Sequence, residues 1–135
     1  MSVVGRFFLS LWGALFGIPW TAFVAGLYLA GAVAALRRGG APVELWIAGD
    51  GPEYEAVRYY AASGKLKGRV KLLGPKYGTE LEKLLHEAKA VVITSLWREN
   101  MPYSLLEAMA NGQAVIVSDS GGMPELVRDG RNGII

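Results

Sequence analysis

Two glutamates, Glu99 and Glu107, are separated by seven residues within the stretch AVVITSLWRENMPYSLLEAMAN, residues 90–111. An apolar run typical of a strand precedes Glu99, and the pattern after it predicts a helix with Glu107 in its second turn. Carboxylates accept hydrogen bonds from ligand hydroxyl groups. In an open α/β sheet, ligands bind outside the carboxyl ends of the strands, where both glutamates would lie. The pair therefore predicts a polar binding site between a strand and the helix that follows it.

Residue types around this helix predict where it begins and ends. Pro102 suits the first helical position, with Asn100 or Met101 as the cap. Gly112 suits the residue just past the last turn. The helix would thus start beside the glutamate loop, and its first backbone N–H groups would point to the same edge.

Four apolar segments recur roughly every 20 to 25 residues, and a helical pattern follows each of them. The strands are predicted over residues 43–48, 69–73, 90–94 and 114–118, with a short last helix over 124–128. Thr79 and Glu82 have the spacing of a capping box, which predicts a helix over 79–88. This alternation predicts an α/β fold, a Rossmann-like parallel sheet with helices on both faces.

Glycine-rich turns follow two of these strands. GDGP, with Gly49 and Gly51, follows the first strand, and Gly121 with Gly122 follows the last. A strand, a glycine turn and a helix form the layout in which backbone N–H groups reach a phosphate. GDGP is not the full GxGxxG pattern, so a structural turn and a direct ligand contact both stay open for it.

Composition limits the classes of function. The 135 residues suffice for one domain, and 52% are hydrophobic, enough for a sizeable core. A net charge of +2 without a basic stripe argues against nucleic acid as a partner. The absence of cysteine excludes disulfides, thiolate metal sites and a cysteine nucleophile. His86 is the single histidine and Asp119 and Asp129 stand alone, so we expect no metal site.

The segment from residue 7 to residue 36 contains no charged residue. It exceeds the roughly 20 apolar residues that cross a bilayer, so a membrane anchor is one interpretation, and Arg6, Arg37 and Arg38 would then place the C-terminal side in the cytoplasm. Two other interpretations stay open. One is a divergent soluble strand over 2–5 with a buried helix, and the other is a scrambled segment, such as the product of a frameshift. The run is too long for a cleaved signal peptide. We divide the chain into this apolar segment, 1–40, and a Rossmann-like domain, 41–135.

Three stretches resemble one enzyme family: the glutamate pair itself, LLEAMANG, and SGGMPELVRDGRNG. Over residues 43–135 the chain resembles the retaining glycosyltransferases of the GT-B fold, family 4 or glycosyltransferase group 1. The resemblance implies half of a GT-B fold, which binds a nucleotide-diphospho-sugar donor and uses no metal or separate cofactor. Transfer of a hexose-type sugar to a saccharide or lipid-linked acceptor is the implied reaction. It also implies that Glu99 lies beside the donor sugar and that Glu107 hydrogen-bonds the ribose.

The resemblance implies further donor-binding positions. Arg6 matches an arginine of the family that binds the diphosphate, while the lysine that accompanies it has no counterpart here. Lys76 and Tyr77 lie in the loop that would line the base. The other candidates belong to the glycine turns and the helix start: Gly49, Gly51, Asn100, Met101, Pro102, Tyr103, Ser104, Gly121 and Gly122.

Family members carry a second Rossmann-like domain, N-terminal, that binds the acceptor. The resemblance implies that this acceptor domain is missing from the chain, that the chain stops before the family's last strand and helices, and that alone it turns nothing over. We expect a cytoplasmic location, or attachment to the cytoplasmic face of a membrane. A non-catalytic module of this fold, membrane-tethered or fragmentary, is the alternative. A nucleotide-sugar epimerase of related fold is a further one, although its acid/base residues are not evident.

Overall fold

The protein is a sheet of parallel strands covered by helices. The computed structural model describes residues 5–10, 38, 40, 42–50, 54–62, 68–94, 98 and 100–135. The strands are β1 (Gly5–Ser10), β2 (Val43–Ala48), β3 (Val70–Gly74), β4 (Ala90–Ile93) and β5 (Ala114–Val117). The helices in the described ranges are α1 (Tyr54–Ala62), α2 (Gly78–Glu87), α3 (Tyr103–Ala110) and α4 (Met123–Leu126).

The strands are arranged in the order β3-β2-β1-β4-β5, and every pairing is parallel. The chain therefore moves outward from β1 to β3, crosses back over the sheet, and continues outward from β4 to β5. Right-handed crossovers place the connections of the two halves on opposite faces. This order is that of a doubly wound nucleotide-binding fold, and it confirms the predicted α/β class with a parallel sheet.

Both faces of the sheet are buried. On β2, Trp46 and Ala48 point to one face, whereas Val43, Leu45 and Ile47 point to the other. The first face packs against side chains from the segments of α2, α3 and α4, and the second packs against Val57 of α1. A strand buried on both faces is apolar at nearly every position, and in VELWIA only the half-buried Glu44 is polar, which explains why the run was readable as a strand.

The structure corrects the predicted first strand. One of the three interpretations of the apolar segment placed it over residues 2–5, whereas β1 is Gly5–Ser10 and residues 1–4 lie outside the described part. The first residues of the apolar segment therefore pair with β2 on one side and β4 on the other. Residues 11–36 of that segment also lie outside the described part. Among the residues that the structure describes, no helix is long and apolar enough to cross a membrane.

Two predicted helix starts are wrong. Helix α2 begins at Gly78, so Thr79 is already a helical residue and cannot supply the capping box; Tyr77 occupies the N-cap without a side-chain bond. Helix α3 has Pro102 as its N-cap, with an extended ψ of 118°, rather than as its first helical residue. Neither Asn100 nor Met101 is therefore the cap.

The end of α3 is as predicted. Gly112 is the residue after the C-cap, and its N–H donates to the Met109 carbonyl at 3.0 Å. The Gln113 N–H donates to the Ala108 carbonyl at 3.0 Å. These two bonds form a Schellman motif, which ends the helix and leads directly into β5.

The last residues extend the sheet beyond β5. Ile134 forms a parallel bridge with Ile116, through bonds of 2.9 Å that involve Val115 and Val117. The preceding turn is held by Asn132, whose amide accepts from the Arg128 N–H at 2.6 Å and donates to the Leu126 carbonyl at 2.9 Å. The outer edge of β5 is thus covered by the chain itself.

Candidate functional site

The carboxyl ends of all five strands form one edge of the sheet. The strands end at Ser10, Ala48, Gly74, Ile93 and Val117. In the sheet, β2 lies on one side of β1, and β4 and β5 lie on the other, so the strand order reverses between β1 and β4. Such a switch in direction opens a crevice between the two strand ends, which is where this class of fold binds ligands.

The loops after β4 and β5 touch each other beside this crevice. We call residues 94–102 and 118–122 the β4–β5 loop pair; residues 95–97 and 99 lie outside the described part. Gly122 is buried, and a Cβ added to it would lie 1.9 Å from the Asn100 carbonyl oxygen and 2.9 Å from its carbon. The backbones of the two loops are therefore in direct contact.

Buried side chains lie beneath this contact. Pro102 is buried, and Leu105 of α3 and Met123 of α4 are 0% exposed. The Ser118 N–H also donates to the Ile93 carbonyl at 3.1 Å, which joins the ends of β4 and β5. The β4–β5 loop pair is thus fixed by packing from below and by backbone contact above.

Glu107 is the fifth residue of α3 and is exposed. Its backbone carbonyl accepts hydrogen bonds from Asn111, at 3.1 Å from the backbone N–H and 2.8 Å from the side-chain amide. Its carboxylate has no partner among the described residues. Glu99 lies outside the described residues, one position before Asn100.

Several backbone N–H groups of the β4–β5 loop pair and the helix after it are unpaired. The N–H groups of Leu105 and Leu106 donate to the Pro102 carbonyl at 3.0 and 3.3 Å, and that of Met123 donates to Ser120 at 3.3 Å. Within the part of the chain that the structure describes, the N–H groups of Tyr103, Ser104, Gly121 and Gly122 have no partner. Unpaired N–H groups at a helix start and a glycine turn are suited to bind an anion.

The loops after β2 and β3 form the other side of the edge, and we call residues 49–50 and 75–77 the β2–β3 loop pair. The Gly49 N–H donates to the Gly74 carbonyl at 2.9 Å. Tyr77 is 70% exposed, and the Lys76 ammonium lies 3.6 Å from the Glu80 carboxylate. Gly51 lies outside the described residues. Lys76, Tyr77 and Gly49 thus lie at the carboxyl edge, and their role in donor binding stays a prediction.

The structure does not bring Arg6 to this edge. Arg6 is the second residue of β1 and pairs in register with Glu44, the second residue of β2. Arg6 lies four positions before Ser10, the end of the strand, which at about 3.3 Å per residue is roughly 13 Å. The family resemblance implied that Arg6 binds the diphosphate, whereas β1 begins just before this residue and continues to Ser10.

The remaining predicted positions are on the surface of the same edge. Met101 and Tyr103 are 57% and 76% exposed, Asn100 and Gly121 are exposed, and Ser104 is half-buried. Among the described residues, no three side chains of the metal-binding types lie close enough to hold an ion. The sequence analysis singled out both Gly122 and Asn100 but did not predict that they are in contact. The pair of adjacent glycines at 121 and 122 was the one local feature that could have indicated a close backbone approach.

Comparisons with known proteins agree with this architecture. Residues 27–135 match the family described as glycosyl transferases group 1. The amylovoran biosynthesis glycosyltransferase AmsK of Erwinia amylovora is 34% identical over 103 residues, which are 73% of this chain and 25% of that protein. The chain thus spans about a quarter of the length of this curated relative.

Solved glycosyltransferases have the same fold. The structure of a glycosyltransferase from Rickettsia africae superposes with a TM-score of 0.78 at 19% identity, over 99% of this chain and 34% of that one. Anabaena HepE, solved in complex with UDP-glucose, superposes with a TM-score of 0.74 at 25% identity, over 97% of this chain and 34% of that one. Since the family match covers most of the sequence, the chain belongs to the glycosyl transferases group 1 family.

Proposed function

We propose that the chain is the donor-binding half of a retaining, family 4 glycosyltransferase. It would bind a nucleotide-diphospho-sugar for transfer of a hexose-type sugar to a saccharide or lipid-linked acceptor. The observation that carries this proposal is the exposed Glu107 carboxylate without a described partner, on the helix that starts at the crevice edge. The complex of the relative HepE with UDP-glucose supports this class of donor.

The unpaired N–H groups would hold the diphosphate. When the bond between the anomeric carbon and the diphosphate oxygen breaks, its electron pair goes to the diphosphate, which leaves as the nucleoside diphosphate. The acceptor hydroxyl oxygen forms the new bond to the anomeric carbon, and its proton goes to the leaving diphosphate. Fixed donors at Tyr103, Ser104, Gly121 and Gly122 would stabilise the charge that develops on that group. A site of this kind is built to favour departure of the diphosphate.

The glutamates would hold the two sugars of the donor. A carboxylate can accept hydrogen bonds from both hydroxyls of a ribose diol, and we assign this role to Glu107. We propose that Glu99 accepts hydrogen bonds from the hydroxyls of the transferred sugar. Lys76 and Tyr77 would line the base, and the turn with Gly49 and Gly51 would support that side. Arg6 is left out of this site, because its position in β1 is far from the carboxyl edge.

Calorimetry with a matched pair of variants tests the proposal. UDP-glucose, GDP-glucose and ADP-glucose are titrated into the chain and into Glu107→Gln and Glu82→Gln. Glu82 is the control, because it is also an exposed fifth residue of a helix, in α2. Hydrogen bonds to a charged group contribute about 1.5–3 kcal/mol, so Glu107→Gln should weaken binding roughly tenfold to a hundredfold. Glu82→Gln should leave binding unchanged.

The alternative is a non-catalytic module that keeps the fold. The placement of Arg6 away from the edge favours this alternative, since the site would then lack the positive charge of this arginine to bind the diphosphate. This alternative predicts no saturable binding of any of the three sugars by a chain whose circular dichroism shows it to be folded. Equal affinities in Glu107→Gln and the parent chain would likewise contradict the proposed site.

A further inference from the structure

The starts of the strands form a second edge of the sheet, opposite the crevice. Strand pairing sets five residues side by side in one row: Val70, Leu45, Phe7, Ala90 and Ala114. The positions directly before them form the next row: Arg69, Glu44, Arg6, Lys89 and Gln113. The Leu45 N–H donates to the Arg69 carbonyl at 2.8 Å, in agreement with this register. Residues far apart in the sequence are thus brought into one line.

The turn of residues 128–132 continues this line beyond β5. Gly133, which follows the turn, packs against Val115, the second residue of β5, since a Cβ added to Gly133 would lie 2.7 Å from that side chain. The turn therefore lies beside the start of β5. Its two arginines, Arg128 and Arg131, are exposed. We call the row from Arg69 to Gln113 and this turn the amino edge.

The amino edge carries an excess of positive charge. Within the described residues, four of its cationic side chains take part in no ion pair: Arg69, Lys89, Arg128 and Arg131. The Glu44 carboxylate, in contrast, lies 2.8 Å from the Lys71 ammonium. The Asp129 carboxylate accepts from the Ile135 N–H at 3.0 Å, and Glu87, just before the edge, has a partner. The four cations therefore outnumber the acids that could neutralise them.

The carboxyl edge has the opposite character. Exposed acids follow its strands or occupy the first turns of its helices: Asp50, Glu55, Glu80, Asp119 and Glu125. Strands of four to six residues separate the two edges by roughly 13–20 Å. Charges are screened over about 8 Å at physiological ionic strength, so a surface at one edge barely senses the other. The net charge of +2 therefore conceals a basic edge and an acidic one.

We infer that the amino edge is a docking surface for an anionic lipid bilayer, which goes beyond the proposed function and does not depend on it. Neighbouring strands lie about 4.8 Å apart, so the row extends roughly 19 Å in one direction, as a flat layer of headgroups requires. Lysines and arginines near such a layer are attracted to it. The acidic edge is repelled, so the crevice would face away from the bilayer and stay open to solution.

The described surface favours lipid over nucleic acid as the anionic partner. Proteins that bind single strands stack the bases on exposed aromatic side chains. Among the described residues, the exposed large apolar side chains all lie outside the amino edge: Tyr59, Tyr77, Met101, Tyr103, Ile134 and Ile135. The amino edge thus offers charge without stacking platforms, which suits headgroups.

Sedimentation with vesicles tests the inference. The whole chain is mixed with vesicles of phosphatidylcholine alone or of phosphatidylcholine with phosphatidylglycerol, and the bound fraction gives a partition coefficient. The parent chain is compared with Lys89→Gln/Arg131→Gln and with Lys83→Gln/Arg98→Gln. The second double variant is the matched control, because it removes the same charge from exposed residues outside the amino edge.

We expect the parent chain to prefer the anionic vesicles, and added salt to remove the preference. Each cation near an anionic layer raises partitioning roughly fivefold, so Lys89→Gln/Arg131→Gln should lower it roughly thirtyfold. The control should retain most of the parent value. Every variant contains the uncharged segment 7–36, so any contribution of that segment is the same in all. Equal binding to both kinds of vesicle, or equal losses in the two double variants, would overturn the inference.

Hydrogen–deuterium exchange locates the contact in the parent chain and does not depend on the folding of a variant. With anionic vesicles, exchange should slow over residues 128–132 and stay unchanged over residues 118–122 at the carboxyl edge. Slower exchange over 118–122 alone would overturn the inference.

Two further titrations separate this inference from its rivals. Preference for a single-stranded RNA oligonucleotide over anionic vesicles, lost in Lys89→Gln/Arg131→Gln, would overturn the lipid assignment in favour of nucleic acid. The same double variant should bind UDP-glucose as the parent chain does. A chain that binds anionic vesicles through the amino edge but no donor would support this inference and contradict the proposed function alone. Donor binding without any preference for anionic vesicles would do the reverse.

Discussion

The two loop pairs at the carboxyl edge are held in different ways. The β4–β5 loop pair is in direct backbone contact, above side chains of Leu105 and Met123 that are fully buried. The β2–β3 loop pair is joined by the hydrogen bond from Gly49 to Gly74 and leaves Tyr77 largely exposed. Packing fixes positions to within the tolerance that hydrogen bonding to a sugar requires. The difference suggests fixed polar recognition on one side of the crevice and a more adaptable surface on the other.

The largest expected effect comes from removing the packing under the β4–β5 loop pair. Leu105→Ala deletes a fully buried side chain between α3 and the sheet, so the free energy of unfolding should fall by about 2–5 kcal/mol. Chemical denaturation measures this loss. Leu84→Ala, at a partly buried position of α2, is the control and should cost less. Equal losses in the free energy of unfolding in the two variants would mean that the β4–β5 loop pair is not more strongly packed than the rest of the fold.

A change at Gly74, the last residue of β3 and the partner of Gly49 beside the β2–β3 loop pair, should act through backbone conformation instead. Gly74 has a φ of 69°, and a Cβ there would meet nothing within 4 Å. Gly74→Ala should therefore cost about 1–2 kcal/mol, the strain of a left-handed residue, without any steric clash. Thermal unfolding monitored by circular dichroism checks this value. If Gly74→Ala lowered the free energy of unfolding by more than Leu105→Ala does, the β2–β3 side, and not the β4–β5 side, would be the more firmly held.

The smallest effect on stability is expected at Tyr77. Its side chain is 70% exposed, so Tyr77→Ala should change the free energy of unfolding by less than about 0.5 kcal/mol. If Tyr77 packs on the base, the affinity for UDP should fall by roughly two- to tenfold, as for other aromatic contacts. Calorimetry measures the fall, with Tyr59→Ala of α1, 74% exposed, as the control. An unchanged affinity would remove Tyr77 from the proposed site.

The strands on either side of the central strand β1 were predictable, and β1 itself was not. Strand β2 was predicted over its observed residues, because a strand buried on both faces is a short apolar run between turns. Strand β1 ends at Ser10, inside a long apolar run that has no charge to mark where a strand would stop. Arg6 was assigned to the diphosphate from the family resemblance, and its place as the second residue of β1 is not what that assignment implied.

The site was predictable only where it is local. The position of Glu107 on α3 follows from the spacing of apolar residues around it, and the role of Gly112 follows from the helix end. The contact of Gly122 with Asn100 joins residues from loops after two different strands. Such a contact depends on β4 and β5 being neighbours in the sheet, which a pattern along the sequence does not state.

The most direct test of the account is to map UDP binding on the amide resonances of the whole chain. We predict that UDP shifts the resonances of Tyr103, Ser104, Gly121 and Gly122, whose N–H groups are unpaired at the carboxyl edge. Lys89 and Gln113, which precede β4 and β5 at the opposite edge, should keep theirs. Shifts confined to that opposite edge, or no shifts at millimolar UDP, would contradict a donor site at the crevice.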